Sequence, residues 1–158
     1  MYVVRLAKPA DIPTVIQLTE LWNTEPSTTG HCVVNFPEAL QRDLGSYFWV
    51  AEQDDQVVGF ILGCVNGDSA RSLHYQILRE GEDHLSLHQL YVHPDHRNRG
   101  VGSQLVAKLF VAAASNGIHR HFVMSANQDW EKTMRFYEKQ GFRPWYFRMF
   151  TGSSTEER

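Results

Sequence analysis

Three observations predict a single α/β domain. The chain has 158 residues, 42% of them hydrophobic and 21% charged, a size at which one core buries roughly 68–70% of the unfolded surface. Strand-like runs alternate with segments whose apolar residues recur at helical spacing. Two of the runs, YFWVAE (47–52) and VVGFILGCV (57–65), flank the short polar turn QDDQ and read as a hairpin.

Taken in order, YVVRLA (2–7) is a strand, and ADIPTVIQLTELW (10–22) places apolar residues at 12, 15, 16 and 18, the spacing of a helix face. NTEPSTTGHCVVN (23–35) is rich in turn formers, after which FPEALQRDLG (36–45) reads as a short helix closed by Gly45. The run 57–65 is apolar enough for a central strand covered on both faces, with Gly59 and Gly63 marking a bulge or close packing. A long connection (66–83) leads to the strand HLSLHQLYVHP (84–94), which Pro94 stops. Val101, Leu105, Leu109 and Ala112 then trace a helix over 101–116 that ends at Gly117, followed by the strand HRHFVMSA (119–126). A last helix starts at Asp129 as N-cap, turns Trp130, Thr133, Met134 and Tyr137 toward the core and stops at Gly141. RPWYFRMF (143–150) reads as a final strand and TGSSTEER as a frayed end of the same domain, which spans 1–158.

A formal net charge of -3 argues against nucleic-acid binding, which leaves a strongly basic footprint. The longest apolar runs are about half the length of a membrane span, and MYVVRLAKPAD has no signal-peptide pattern, so the expectation is a cytoplasmic protein without a membrane partner. Cys32 and Cys64 lie in no CxxC or metal spacing and read as two free thiols. Among the histidines, His84 and His88 point away from the face of His93, and no cysteine or carboxylate completes a tetrahedral set, so no metal is expected.

The chemistry concentrates in HRNRGVGSQL (96–105), a glycine-bearing turn between a strand and a helix. A helix N-terminus offers unpaired N–H groups and the positive end of the helix dipole, and glycines let an anion approach the main chain, which points to a phosphate-bearing ligand. GxxxxGK[ST] occurs nowhere, and the third glycine of a dinucleotide fingerprint is replaced by Leu105. What remains is RxxGxG, formed by Arg97, Gly100 and Gly102.

Further along comes RFYEKQGF (135–142). Together with LYVHPDHRNRGVGSQL it resembles the GNAT superfamily of acyl-CoA-dependent N-acyltransferases, and the order of elements over 2–150 is similar too. The resemblance implies a GNAT fold: a mixed, mostly antiparallel sheet flanked by helices, with strands splayed at the acyl-CoA site. It implies acetyl-CoA as cosubstrate, its pyrophosphate cradled by main-chain N–H groups of Arg99, Gly100, Gly102 and Ser103, with Arg97, Asn98 and Val101 in the same loop. Main-chain groups of Leu90, Tyr91 and Val92 would pair with the pantetheine arm, an N–H near Val92 polarising the thioester carbonyl. Tyr137 matches the tyrosine that protonates the departing thiolate. Trp130 stands where the family often has a coenzyme-contacting asparagine, with Asn127 the nearest substitute.

Many members carry a basic glutamate where this chain has Ser86. His88 shares that face of the strand by the two-residue period and falls where the arylalkylamine N-acetyltransferases have one of their catalytic histidines. It is either the base or a packed strand histidine, and His84 and Ser86 extend the polar row. The implied reaction is acetyl transfer to a primary amine by direct attack, with a small amine or polyamine as acceptor. A protein or peptide amine, or a non-catalytic acyl-CoA-binding module, are the alternatives. Loops 23–35 and 66–83, carrying Glu25, His31, Asp68, Glu80, Glu82 and Asp83, are expected to shape the acceptor pocket, and a homodimer is left open.

Overall fold

The computed structural model describes residues 1–28, 30–66 and 82–145. Its elements are β1 (Val3–Leu6), α1 (Ile12–Asn23), α2 (Pro37–Asp43), β2 (Phe48–Gln53), β3 (Gln56–Val65), β4 (His84–Val92), α3 (Val101–Ser115), β5 (Arg120–Val123) and α4 (Trp130–Lys139). The strands form one sheet in sequence order; β1 to β4 are antiparallel to their neighbours, and β4 and β5 run parallel. This is the mixed, mostly antiparallel sheet expected from the sequence. Of the expected last strand, Arg143, Pro144 and Trp145 carry no strand, and 146–150, like the tail, Asp68 and Glu80, lie outside the described residues.

Local chemistry accounts for the connections. The β2–β3 hairpin turns on Asp54 and Asp55 at φ 50° and 61°, the paired left-handed conformation whose twist matches that of the flanking strands. At the end of α4, Gly141 donates to the Glu138 carbonyl (3.0 Å) and Phe142 to that of Tyr137 (3.1 Å), a Schellman closure with glycine at the left-handed position.

The sheet is covered on both faces, which is why β3 is continuously apolar. One core joins Ile61, Leu85 and Leu87 to Val101, Leu105 and Leu109 of α3. The other joins Phe48, Val50, Phe60, Leu62 and Tyr91 to α1 and α2. Close approach explains the two glycines of β3: a Cβ on Gly59 would stand 2.8 Å from the Tyr91 carbonyl oxygen, and one on Gly63 3.1 Å from a Leu109 methyl. No described helix is long and apolar enough to cross a membrane.

The α4 helix departs from its sequence reading. Trp130 is 59% exposed instead of buried, because α4 reaches the core only through its second half, where Phe136 and Tyr137 pack. Asp129 sits at the N-cap without a side-chain capping bond; Asn127 Oδ1 instead accepts the Asp129 N–H at 2.8 Å.

Candidate active site

The β4 strand has two unequal halves. β5 pairs with it only from His84 to Leu87, opposite Arg120 to Val123, while β4 runs on to Val92. The break coincides with a bulge: Gly63 faces Leu87 and Leu62 faces Gln89, leaving His88 as the extra residue. Beyond the bulge, the His93 N–H bonds to the Val58 carbonyl at 2.8 Å. Antiparallel pairing alternates, so Tyr91 and Gln89 direct their main-chain groups at β3, and Leu90 and Val92 direct theirs to the edge that β5 has left. The Val92 carbonyl is taken there by Arg97 Nε (2.8 Å). Its N–H, and both main-chain groups of Leu90, face the gap.

The loop after β4 gathers unpaired N–H groups at the start of α3. Asn98 and Gly100 have φ of 59° and 79°, and left-handed residues set among right-handed ones aim successive N–H groups into one concavity. Among the described residues, the N–H groups of residues 98–103 donate no hydrogen bond; the first intrahelical bond runs from Gln104 to the Gly100 carbonyl at 3.0 Å. The two glycines of the motif have different tasks. Gly100 supplies the left-handed conformation, whereas a Cβ on Gly102 would lie 3.3 Å from the Phe136 ring and 4.0 Å from Val92, so Gly102 draws the first turn of α3 onto α4 and the end of β4. Ser103 Oγ accepts a bond from Gln140 Nε2 (3.0 Å), tying the same turn to the far end of α4.

Those contacts hold α4, and with it Tyr137, against the end of β4. Its ring packs edge-on against Phe136 and Phe142, at centroid distances of 5.1 and 5.4 Å, and it joins the same core as Leu90 and Val92. Burial pushes the phenol well above its ordinary range, which keeps the hydroxyl protonated.

The opposite face holds the polar row of β4. His84 and Ser86 are 1% and 3% exposed, and among the described residues His84 Nε2 and Ser86 Oγ have no hydrogen-bond partner. His88 is exposed and lines a cavity of about 280 Å³ with Asp43, Ser46, Tyr47, Leu62 and Cys64. Beside it, Gln89 and Asn35 exchange two amide bonds (2.8 and 2.9 Å), and Asn35 also donates to Thr19 Oγ1 (2.8 Å).

Residues 44–144, well over half of the chain, match the acetyltransferase (GNAT) domain. The chain belongs to the GNAT acetyltransferase family. Members of this family use acetyl-CoA as cosubstrate. Human N-acetyltransferase 8 is 29% identical over 99 residues, 63% of this chain and 39% of that protein, so the chain spans well under half of this relative's length. Among solved structures, a transcriptional regulator from Bacillus halodurans superposes with a TM-score of 0.72 at 17% identity, covering 96% of this chain and 99% of its own. AAC(6')-Iy, bound to a bisubstrate analog that contains CoA, does so at 0.70 and 17%, covering 97% and 98%. Identities this low speak for the fold alone.

Within this GNAT domain, Leu90 and Val92 lie on the open edge of β4, the unpaired N–H groups of 98–103 follow in the next loop, and Tyr137 packs against the same core as Leu90 and Val92. Several residues named from the sequence stand elsewhere. Tyr91 turns its main chain to β3 and its ring to the α1 side, stacked on Trp22 at 5.3 Å. The Arg97 N–H is engaged by the Pro94 carbonyl (3.2 Å) and its guanidinium by Glu25. Asn127 caps the entry to α4, and Trp130 lies on the solvent side of its first turn. Among the described residues of the two loops, the acidic side chains are paired: Glu25 with Arg97 and Tyr91, Glu82 with Arg120 (3.2 Å), and Asp83 with Asn66 (2.6 Å). Sequence reading passed over Gln89, Asn35 and Thr19, which lie in β4, the α1–α2 connection and α1 and meet only in the fold.

Proposed function

We propose that this chain transfers an acetyl group from acetyl-CoA to a small primary amine by direct attack. The observation that carries the reading is the continuity of unpaired main-chain groups from the open edge of β4 into the N–H nest of residues 98–103. An extended, amide-bearing arm ending in a pyrophosphate has the hydrogen-bonding pattern that such a track complements. The residues therefore fit acetyl-CoA, with Leu90 pairing along the pantetheine, 98–103 holding the pyrophosphate, and Arg99 exposed beside it.

The Val92 N–H, held on the open edge, donates to the thioester carbonyl and stabilises the oxyanion as the amine attacks. Tyr137, kept protonated by burial, gives its proton to the departing thiolate and regains one from solvent. His88, at the bulge where the strands part, takes the proton the amine loses; the unpartnered atoms of Ser86 and His84 behind it suit a water-bridged path for that proton. Positioning the amine against the thioester supplies much of the remaining acceleration. No acyl-enzyme is involved.

The cavity beside His88 favours a small acceptor, since at about 280 Å³ it is at the lower end of ligand-pocket sizes. A panel of small primary amines, polyamines and lysine peptides, assayed by thiol release from acetyl-CoA, tests the reading. Saturable release with small amines is expected. Coenzyme binding without release for any amine would make the chain a binding module, and release with peptides alone would move the acceptor class.

A further inference from the structure

The guanidinium of Arg97, a residue of the loop expected to cradle the pyrophosphate, is answered inside the protein. Arg97 Nη1 donates to Glu25 Oε2 at 2.9 Å and Nη2 to Glu25 Oε1, a bidentate pair, while the Tyr91 hydroxyl donates to the same Oε1 at 2.7 Å. Nε reaches the Val92 carbonyl (2.8 Å), and the guanidinium lies 5.2 Å from the centroid of the Tyr91 ring. Glu25 is far from this loop in sequence; it sits in the α1–α2 connection, where its own carbonyl accepts bonds from the Thr28 N–H (3.1 Å) and hydroxyl (2.8 Å). Burial opposes its charge, but the bonds from Arg97 and Tyr91 prevail and hold the carboxyl below its ordinary range. The carboxylate side chain is 16% exposed.

We propose that Glu25 is a positioning residue for the coenzyme: it clamps Arg97 on the Val92 carbonyl, and so fixes both the open end of β4 and the root of the pyrophosphate loop. Arg97 is the junction of these two parts, because it leads into Asn98 and at the same time bonds the residue whose N–H faces the gap. With its charge matched by Glu25, Arg97 aligns the loop while main-chain N–H groups meet the phosphates. The α1–α2 connection thereby braces the coenzyme site from the opposite face of the sheet. The inference rests on assigning that edge and loop to acetyl-CoA.

Glu25→Gln keeps the shape and removes the charge. Calorimetric titration with coenzyme A should show affinity weaker by about tenfold or more, the size of one charge-assisted hydrogen bond. In the assay the KM for acetyl-CoA should rise more than kcat falls. Arg97→Lys, which loses the planar fork, should act in the same direction, and the double variant should be little worse than Arg97→Lys alone. A residue that only supports the fold would lower the melting temperature and leave the affinity of the folded protein unchanged. Wild-type affinity in folded Glu25→Gln, or losses that simply add in the double variant, overturns the clamp. If Glu25→Gln does not fold, the affinity of Arg97→Lys decides in the same way. Failure of the unmodified protein to bind coenzyme A removes the underlying assignment, and the clamp with it.

Discussion

The two halves of β4 are made of similar residues and have opposite uses. From His84 to Leu87 the strand has neighbours on both edges, and its side chains are buried, the unpartnered polar atoms of His84 and Ser86 among them. From His88 to Val92 it has, among the described residues, a strand partner on one edge only, so main-chain groups of Leu90 and Val92 face an open edge. A single extra residue, His88, separates the halves. The difference teaches that the open edge here is made by the end of a pairing, not by a side-chain type. A bulge both ends the pairing and aims the residue it carries.

Breaking the open half should have the largest effect. Gly100→Asp imposes a side chain at φ 79° and places a carboxylate among the N–H groups meant for an anion. Coenzyme A binding should fall below detection by calorimetry while circular dichroism keeps the fold. Gly102→Asp is a less clean test, because its Cβ also presses on Phe136. Retained affinity in folded Gly100→Asp would return the track to an ordinary strand and turn.

Tyr137→Phe probes the gap without touching either half. It preserves the ring packing and removes the proton donor, so turnover should drop by roughly 10²-fold, with coenzyme affinity unchanged. Native turnover, where chemistry limits the rate, would leave Tyr137 a core residue only.

The smallest effects sharpen the role of the bulge. An imidazole must be neutral to accept a proton, so a base of this kind gives the pH–rate profile an acid limb. His88→Ala should remove that acid limb and lower turnover by about tenfold, less than loss of the acid because water can stand in for an exposed base. Ser86→Ala should change turnover only a few-fold, the loss expected from one member of a water-bridged path. pH–rate profiles at saturating acetyl-CoA read both. An acid limb unaltered in His88→Ala would make His88 a strand residue and confine the polar row to the closed half.

What could be read from the sequence was set by local geometry. The two-residue period of strands and the 3.6-residue period of helices placed the described elements to within a few residues. The two aspartates between β2 and β3 marked the hairpin, and Gly141 marked the stop of α4. The glycines after β4 marked a helix start with unpaired N–H groups, because a left-handed residue and unpaired N–H groups depend only on near neighbours. Tertiary structure alone decided which edge of β4 stays open: the adjacent polar residues His88 and Gln89 interrupt the alternation of HLSLHQLYV at the bulge, but they do not say which neighbouring strand departs. It also decided that Arg97 faces Glu25, 72 positions away, instead of phosphate, and that Gln89 meets Asn35 at a separation of 54. Trp130, apolar and in phase with its helix, stays in solvent because nothing described in the sheet reaches the first turn of α4. A side chain's partner is chosen by the packing of distant segments, and one chain's periodicity carries no record of that choice.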